Sequence, residues 1–133
     1  MSAKNVKTYQ VELTNKPGSL ASLTANLREA NVDMMGGWAW VQQENQTSVM
    51  LIGHDPARTE EALKKSGVNY TTGEACLWEG DDKLGTFHDI LQQAAQANVN
   101  LHAANAISTN GKFCAILWAD EGQHKNLCHA LGC

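Results

Sequence analysis

The sequence predicts an α+β protein in which one strand–helix–strand–strand–helix–strand unit is written twice. Three observations point there. Alternating apolar residues mark strands, apolar residues at three- and four-residue spacing mark helices, and the chain matches itself when slid by 67 positions. That slide lays Asn15-Lys16-Pro17-Gly18-Ser19-Leu20 over Asp82-Lys83-Leu84-Gly85-Thr86-Phe87, and Ala30-Asn31-Val32-Asp33-Met34 over Ala97-Asn98-Val99-Asn100-Leu101. The units divide the chain at 1–72 and 73–133.

In the first unit, Tyr9, Val11 and Leu13 alternate with Gln10, Glu12 and Thr14, as a half-buried strand requires. Pro17-Gly18 turns the chain. Leu20, Leu23, Leu27 and Ala30 then fall on one helical face, and Asn31 stops that helix. Met34–Val41 and Thr47–Gly53 form a hairpin about Gln43-Glu44-Asn45. Asp55 caps a second helix whose first position is Pro56, and Gly67 ends it. Val68–Thr72 is the fourth strand.

The second unit repeats this order with a strand at Ala75–Trp78, a helix over Leu84–Ala97, a hairpin of Leu101–Ser108 and Phe113–Ala119, and a helix at Gln123–Leu131. The sequence given stops at Cys133, so this unit lacks its last strand and a sheet edge is expected to stay open. A unit of about 65 residues buries only about 60% of its unfolded surface, so two docked units are the stable object. Both alternating sets of the first hairpin are apolar. Met34, Trp38 and Trp40 are expected on one side and Met35, Ala39 and Val41 on the other. Covering of the second face by another unit or subunit is favoured over a ligand pocket lined by Trp38 and Trp40.

Composition narrows the function. Ten basic and fourteen acidic side chains give a net charge of -4, which argues against a nucleic-acid partner. No apolar run reaches the length of a membrane span and the first residues are polar, so a cytoplasmic protein without a membrane partner is expected. The five histidines form no triad with a carboxylate or serine, so no catalytic residue is assigned and the chain is not expected to be an enzyme. No cofactor is expected either. Cys76, Cys114, Cys128 and Cys133 contain no CxxC, and Cys128-His129 with Cys133 and His124 lack the two close ligand pairs of a structural zinc site. The cysteines are expected to be small core residues or a tail thiol, without metal and without a disulfide framework.

The most informative segment is the turn Asn15–Leu20 and its copy around Gly85. Glycine at matching places implies a backbone conformation or close approach that a Cβ would obstruct. A helix follows, and its first amides can receive a carboxylate; alternatively Ser19 and Thr86 are simple helix caps. Asn15-Lys16-Pro17-Gly18-Ser19-Leu20, an amphipathic helix, and then Ala30-Asn31-Val32-Asp33-Met34 entering a hairpin resemble the ACT domain, a small regulatory module of amino-acid metabolism. The second unit resembles a more divergent ACT domain, with Leu84 in place of the proline. The likeness covers residues 6 to 131.

The resemblance implies two ferredoxin-like units, each with helices on one face of an antiparallel sheet, and a free amino acid bound where such domains meet. Carried over by position, the ligand contacts fall on Asn15, Pro17, Gly18, Ser19, Leu20 and Asp33, with copies at Asp82, Gly85 and Asn100. Turn amides would take the α-carboxylate and Asn15 or Asp33 the α-ammonium. Asp33 stands where serine-binding members often have asparagine; it suits an ammonium and repels a carboxylate. The implied role is a non-catalytic amino-acid sensor, allosteric and dimeric through a sheet edge or face, acting on a partner enzyme. The alternative is an interaction subunit that docks on an enzyme and binds no small molecule.

Overall fold

A computed structural model describes residues 2–133, which form ten elements. They are β1 (Ser2–Thr14), α1 (Ser19–Glu29), β2 (Met34–Gln43), β3 (Gln46–Gly53), α2 (Pro56–Ser66), β4 (Asn69–Asp81), α3 (Thr86–Gln96), β5 (Leu101–Thr109), β6 (Lys112–Ala119) and α4 (His124–Leu131). Two compact units result. One is Lys7–Gly73, and the other joins residues 2–6 to Glu74–Cys133.

Lys7–Gly73 has the strand order β2-β3-β1-β4, using residues 7–14 of β1 and 69–73 of β4. The antiparallel register sets Val11 against Val49 and Tyr9 against Leu51. These residues pack with Leu23 and Leu27 of α1 and with Ala62 and Leu63 of α2 into one buried cluster. Each large apolar side chain there stabilises the unit by about 2 kcal/mol. Helix α2 starts as the sequence predicts, with the Asp55 carboxylate accepting from the Arg58 N–H at 3.2 Å and Pro56 in the first turn. It is fastened to the sheet by Tyr70, whose hydroxyl donates to Glu60 at 3.1 Å. This bond, helped by the Lys7 ammonium, holds the Glu60 carboxyl below its ordinary range.

In the other unit the order is β5-β6-β4-β1, with residues 74–81 of β4 and residues 2–6 of β1. No strand follows α4, in keeping with the sequence, but its place is taken from the start of the chain. Residues 2–6, counted with the first unit from sequence, belong here because Ala3 packs on the core of Cys76, Trp78, Ile90, Phe113 and Leu127. The polar Ser2, Lys4 and Asn5 concealed this strand. An edge strand needs backbone pairing rather than an apolar stripe, and exposed lysine protects it from further pairing. Likewise Gly73, which separates two expected strands in sequence, lies within the single continuous β4.

The repeat extends to backbone detail. Gly18 and Gly85 cap α1 and α3 at φ 89° and 87°. Asn31 and Asn98 close those helices in left-handed conformation, at φ 57° and 60°. The two hairpins share a bulge, between Met34 and Gly36 and between Leu101 and Ala103. That bulge corrects one sequence expectation. Met34 does not share a side with Trp38; the extra residue turns it to the helix-covered face, where it packs on the core and its Cε faces Gly37.

The cysteine expectation is corrected as well, because Cys76 is disulfide-bonded to Cys133 across 57 residues. Wide spacing hid a pair that β4 and the end of α4 bring together.

Gly53 ends β3 against the buried Thr59, whose side chain occupies the space a Cβ would need. Gly53→Ala should therefore lower the stability of this unit by about 1–3 kcal/mol, read as a lower melting temperature by circular dichroism; an unchanged melt would contradict the packing described.

Candidate ligand site beside the first helix

Three residues before α1 decide the shape of its start. The Asn15 N–H donates to the Asn45 carbonyl at 3.0 Å, its side-chain amide donates to the Glu44 carbonyl at 3.1 Å, and its Oδ1 accepts from the Thr47 hydroxyl at 3.3 Å. Asn15 thus ties the turn to the β2–β3 hairpin. Its polar atoms already have partners within the protein, so it positions the turn. After Pro17 comes Gly18 in left-handed conformation with nothing near the place of a Cβ. Its glycine requirement is conformational and does not arise from crowding. Neither Ser19 nor any other side chain caps α1, although the Ser19 N–H returns to the Lys16 carbonyl at 3.3 Å.

Beyond this turn lies an open apolar cavity of about 360 Å³ along α1 and β2. Leu20 and Thr24 form one wall, Met34, Gly37, Trp38 and Ala39 another, and Val49 and Leu51 the floor. The two glycines at 36 and 37 leave β2 bare of side chains where the cavity opens. Of the ligand contacts implied by the resemblance, Leu20 alone lines it, together with Trp38 from the pocket that the sequence reading disfavoured. Thr24 and Met34 also border a second, shallower groove with Arg28, Asn31 and Asp33. The Asp33 side chain is 86% exposed there and lies 3.8 Å from Nε2 of His54, so its carboxylate is available to a cation.

The positions expected in the other unit are engaged internally. Asp82 accepts from the Ser108 hydroxyl at 2.5 Å, and its N–H reaches the Gly111 carbonyl at 2.9 Å. Asn100 donates from its side chain to Asp120 at 2.6 Å and from its N–H to Gln123 at 2.8 Å. Gly85 repeats the Gly18 conformation, while Leu84 stands fully exposed. Sequence reasoning missed Thr24, Arg28 and the Gly36-Gly37 pair. The glycine pair was the readable signal, since two glycines inside an otherwise apolar strand mark a bulge or a bare patch of backbone.

Leu20 stands in the first turn of α1, and Asp33 lies beyond the opposite end of that helix. Eleven helical residues span about 16 Å, more than a free amino acid can bridge between its α-carboxylate and α-ammonium.

No family model matches the sequence, and no curated relative matches it. Solved structures do. Protein BT0572 from Bacteroides thetaiotaomicron superposes with a TM-score of 0.86 at 16% identity, over 98% of this chain and 88% of that one. The ligand-free regulatory subunit of aspartate kinase from Thermus thermophilus gives 0.69 at 12% identity, over 98% and 93%. Aspartokinase III of E. coli, in complex with lysine and aspartate, gives 0.56 at 15% identity, over 97% of this chain and 32% of that one. At these identities the likeness is one of fold alone, and that fold is the α+β arrangement of tandem ferredoxin-like units expected from the sequence.

Proposed function

We propose that this chain is a non-catalytic regulatory protein that binds a free amino acid with an apolar side chain and passes that signal to a partner enzyme of amino-acid metabolism in the cytoplasm. The observation that carries the reading is the apolar cavity beside the uncapped start of α1, in a unit whose Asp33 is exposed. Its lining suits an aliphatic or aromatic side chain, and the helix start suits a carboxylate. Asp33 suits an ammonium. Because turn and Asp33 stand at opposite ends of α1, the active form in this reading is a homodimer with the ligand between the two copies. The fold it shares with a regulatory subunit of aspartate kinase, and with an aspartokinase in complex with lysine and aspartate, supports the regulatory role. Ligand binding would favour one arrangement of the copies, and an enzyme that prefers that arrangement would read it.

Thermal shift against the twenty amino acids tests this. A ligand at about 100 times its Kd adds roughly 2.7 kcal/mol, a shift of several degrees for a chain this size. Leucine, isoleucine, valine, methionine or phenylalanine should give that shift, and Gly18→Val should remove it by reshaping the turn. Silence from all twenty at millimolar concentration would replace this reading with a docking subunit that binds no small molecule.

A further inference from the structure

A cluster of sulfurs lies within the unit completed by residues 2–6. Cys76 of β4 is fully buried and disulfide-bonded to Cys133. The free thiol Cys128, in the last turns of α4, places its Sγ 2.9 Å from Sγ of Cys133. The Schellman-type end of α4 holds them so: the N–H groups of Gly132 and Cys133 both donate to the Cys128 carbonyl, at 2.8 and 2.9 Å. Cys128 and Cys133 are both partly exposed. One turn earlier, Nε2 of His124 lies 3.4 Å from Sγ of Cys128 and is itself held by Glu74 at 3.0 Å and Asn5 at 2.6 Å. A third sulfur in contact with a disulfide is the arrangement that thiol–disulfide exchange requires.

We propose that Cys76, Cys128 and Cys133 form a thiol–disulfide exchange site in which Cys133 alternates between two partners. Cys128 gives up its proton and its thiolate attacks Sγ of Cys133. The Cys128–Cys133 bond forms as the Cys76–Cys133 bond breaks, and the electron pair leaves on Cys76, which takes up a proton. One disulfide and one thiol stand on each side, so no outside oxidant is consumed. In the first state the end of α4 is stapled to β4. In the second the staple lies within α4 and its cap, and the buried Cys76 is a free thiol shielded from solvent. A thiol of the surroundings, whether a small molecule or a protein, meets the partly exposed Cys133 or Cys128 and is kept from Cys76. Reducing compartments tolerate disulfides of this exchangeable kind, and their protein disulfides are mostly transient or redox-sensing.

Two groups face the Cys128 thiol, Glu74 from β4 and His124 from α4. Burial first, and the Glu74 carboxylate second, push the thiol up from its ordinary range, so little thiolate is present at neutral pH. Exchange should accelerate as pH rises.

The experiment is disulfide mapping by alkylation and peptide mass spectrometry on protein purified without reductant. Wild type should yield both the Cys76–Cys133 and the Cys128–Cys133 peptides. When Cys128 is trapped in one state and released, the two should re-equilibrate about tenfold or more faster at pH 9 than at pH 7. Cys76→Ala should retain a disulfide, now wholly Cys128–Cys133, and Cys128→Ala should retain only Cys76–Cys133. Three results would overturn the proposal: a Cys128 thiol that alkylates fully at every pH in wild type, wild-type protein with no disulfide at all, or a stoichiometric metal ion that survives desalting and shields all three cysteines. The wild-type measurement decides the matter even if Cys76→Ala fails to fold.

Discussion

Removing residues 2–6 should lower the melting temperature of the unit formed with Glu74–Cys133 by more than 10 °C and make the protein self-associate. The residues look dispensable, being mostly polar and at the start of the sequence given, yet they supply the fourth strand of that sheet. Their loss takes away Ala3 and the buried Val6, uncovers the core near Cys76, and leaves residues 74–81 of β4 with an unpaired edge. Lost apolar burial and strand pairing together come to about 3 kcal/mol, and a unit of this size moves by about 4–8 °C per kcal/mol. An open edge of that length also recruits other chains. Differential scanning calorimetry with size-exclusion chromatography reads both effects. Lys4→Ala, at an exposed position, should melt like wild type. A deletion variant that melts with wild type and runs at the same size would mean that residues 2–6 are not a structural strand.

Ala39→Phe should abolish the response to amino acids while sparing the fold. Ala39 sits on the free edge strand β2, opposite Val49, and lines the cavity beside α1. A phenyl ring there occupies the space offered to a ligand side chain, and phenylalanine suits an exposed strand well. Affinity should fall by at least tenfold with the melting temperature of the free protein changed by no more than a few degrees. Calorimetric titration of the responding amino acid into wild type and variant checks it. Equal affinities would place any binding elsewhere.

The repeat was legible because both copies use the same local devices, glycine before the first helix and asparagine after it. Alternation and helical spacing located every helix. What escaped notice depended on partners distant in sequence. Residues 2–6 pair with β4 through backbone groups that leave no apolar pattern, and Cys76 meets Cys133 only once α4 has docked. The side assigned to Met34 failed because a bulge shifts the two-residue alternation by one, and sequence gives no residue count for a bulge. At the candidate site, Gly18 and Leu20 stood out through turn chemistry and Asp33 through the strand entry. That Asn15 is engaged by Glu44, Asn45 and Thr47 follows only from the hairpin folding back upon the turn.

Backbone amide NMR during titration with leucine, methionine or phenylalanine tests the central claim most directly. The account predicts saturable shifts concentrated at Leu20, Ala21, Gly37, Ala39 and Asp33, with the Cys76–Leu127 region of the other unit unmoved. Spectra that stay unchanged at millimolar ligand, or shifts confined to residues away from α1 and β2, would contradict it.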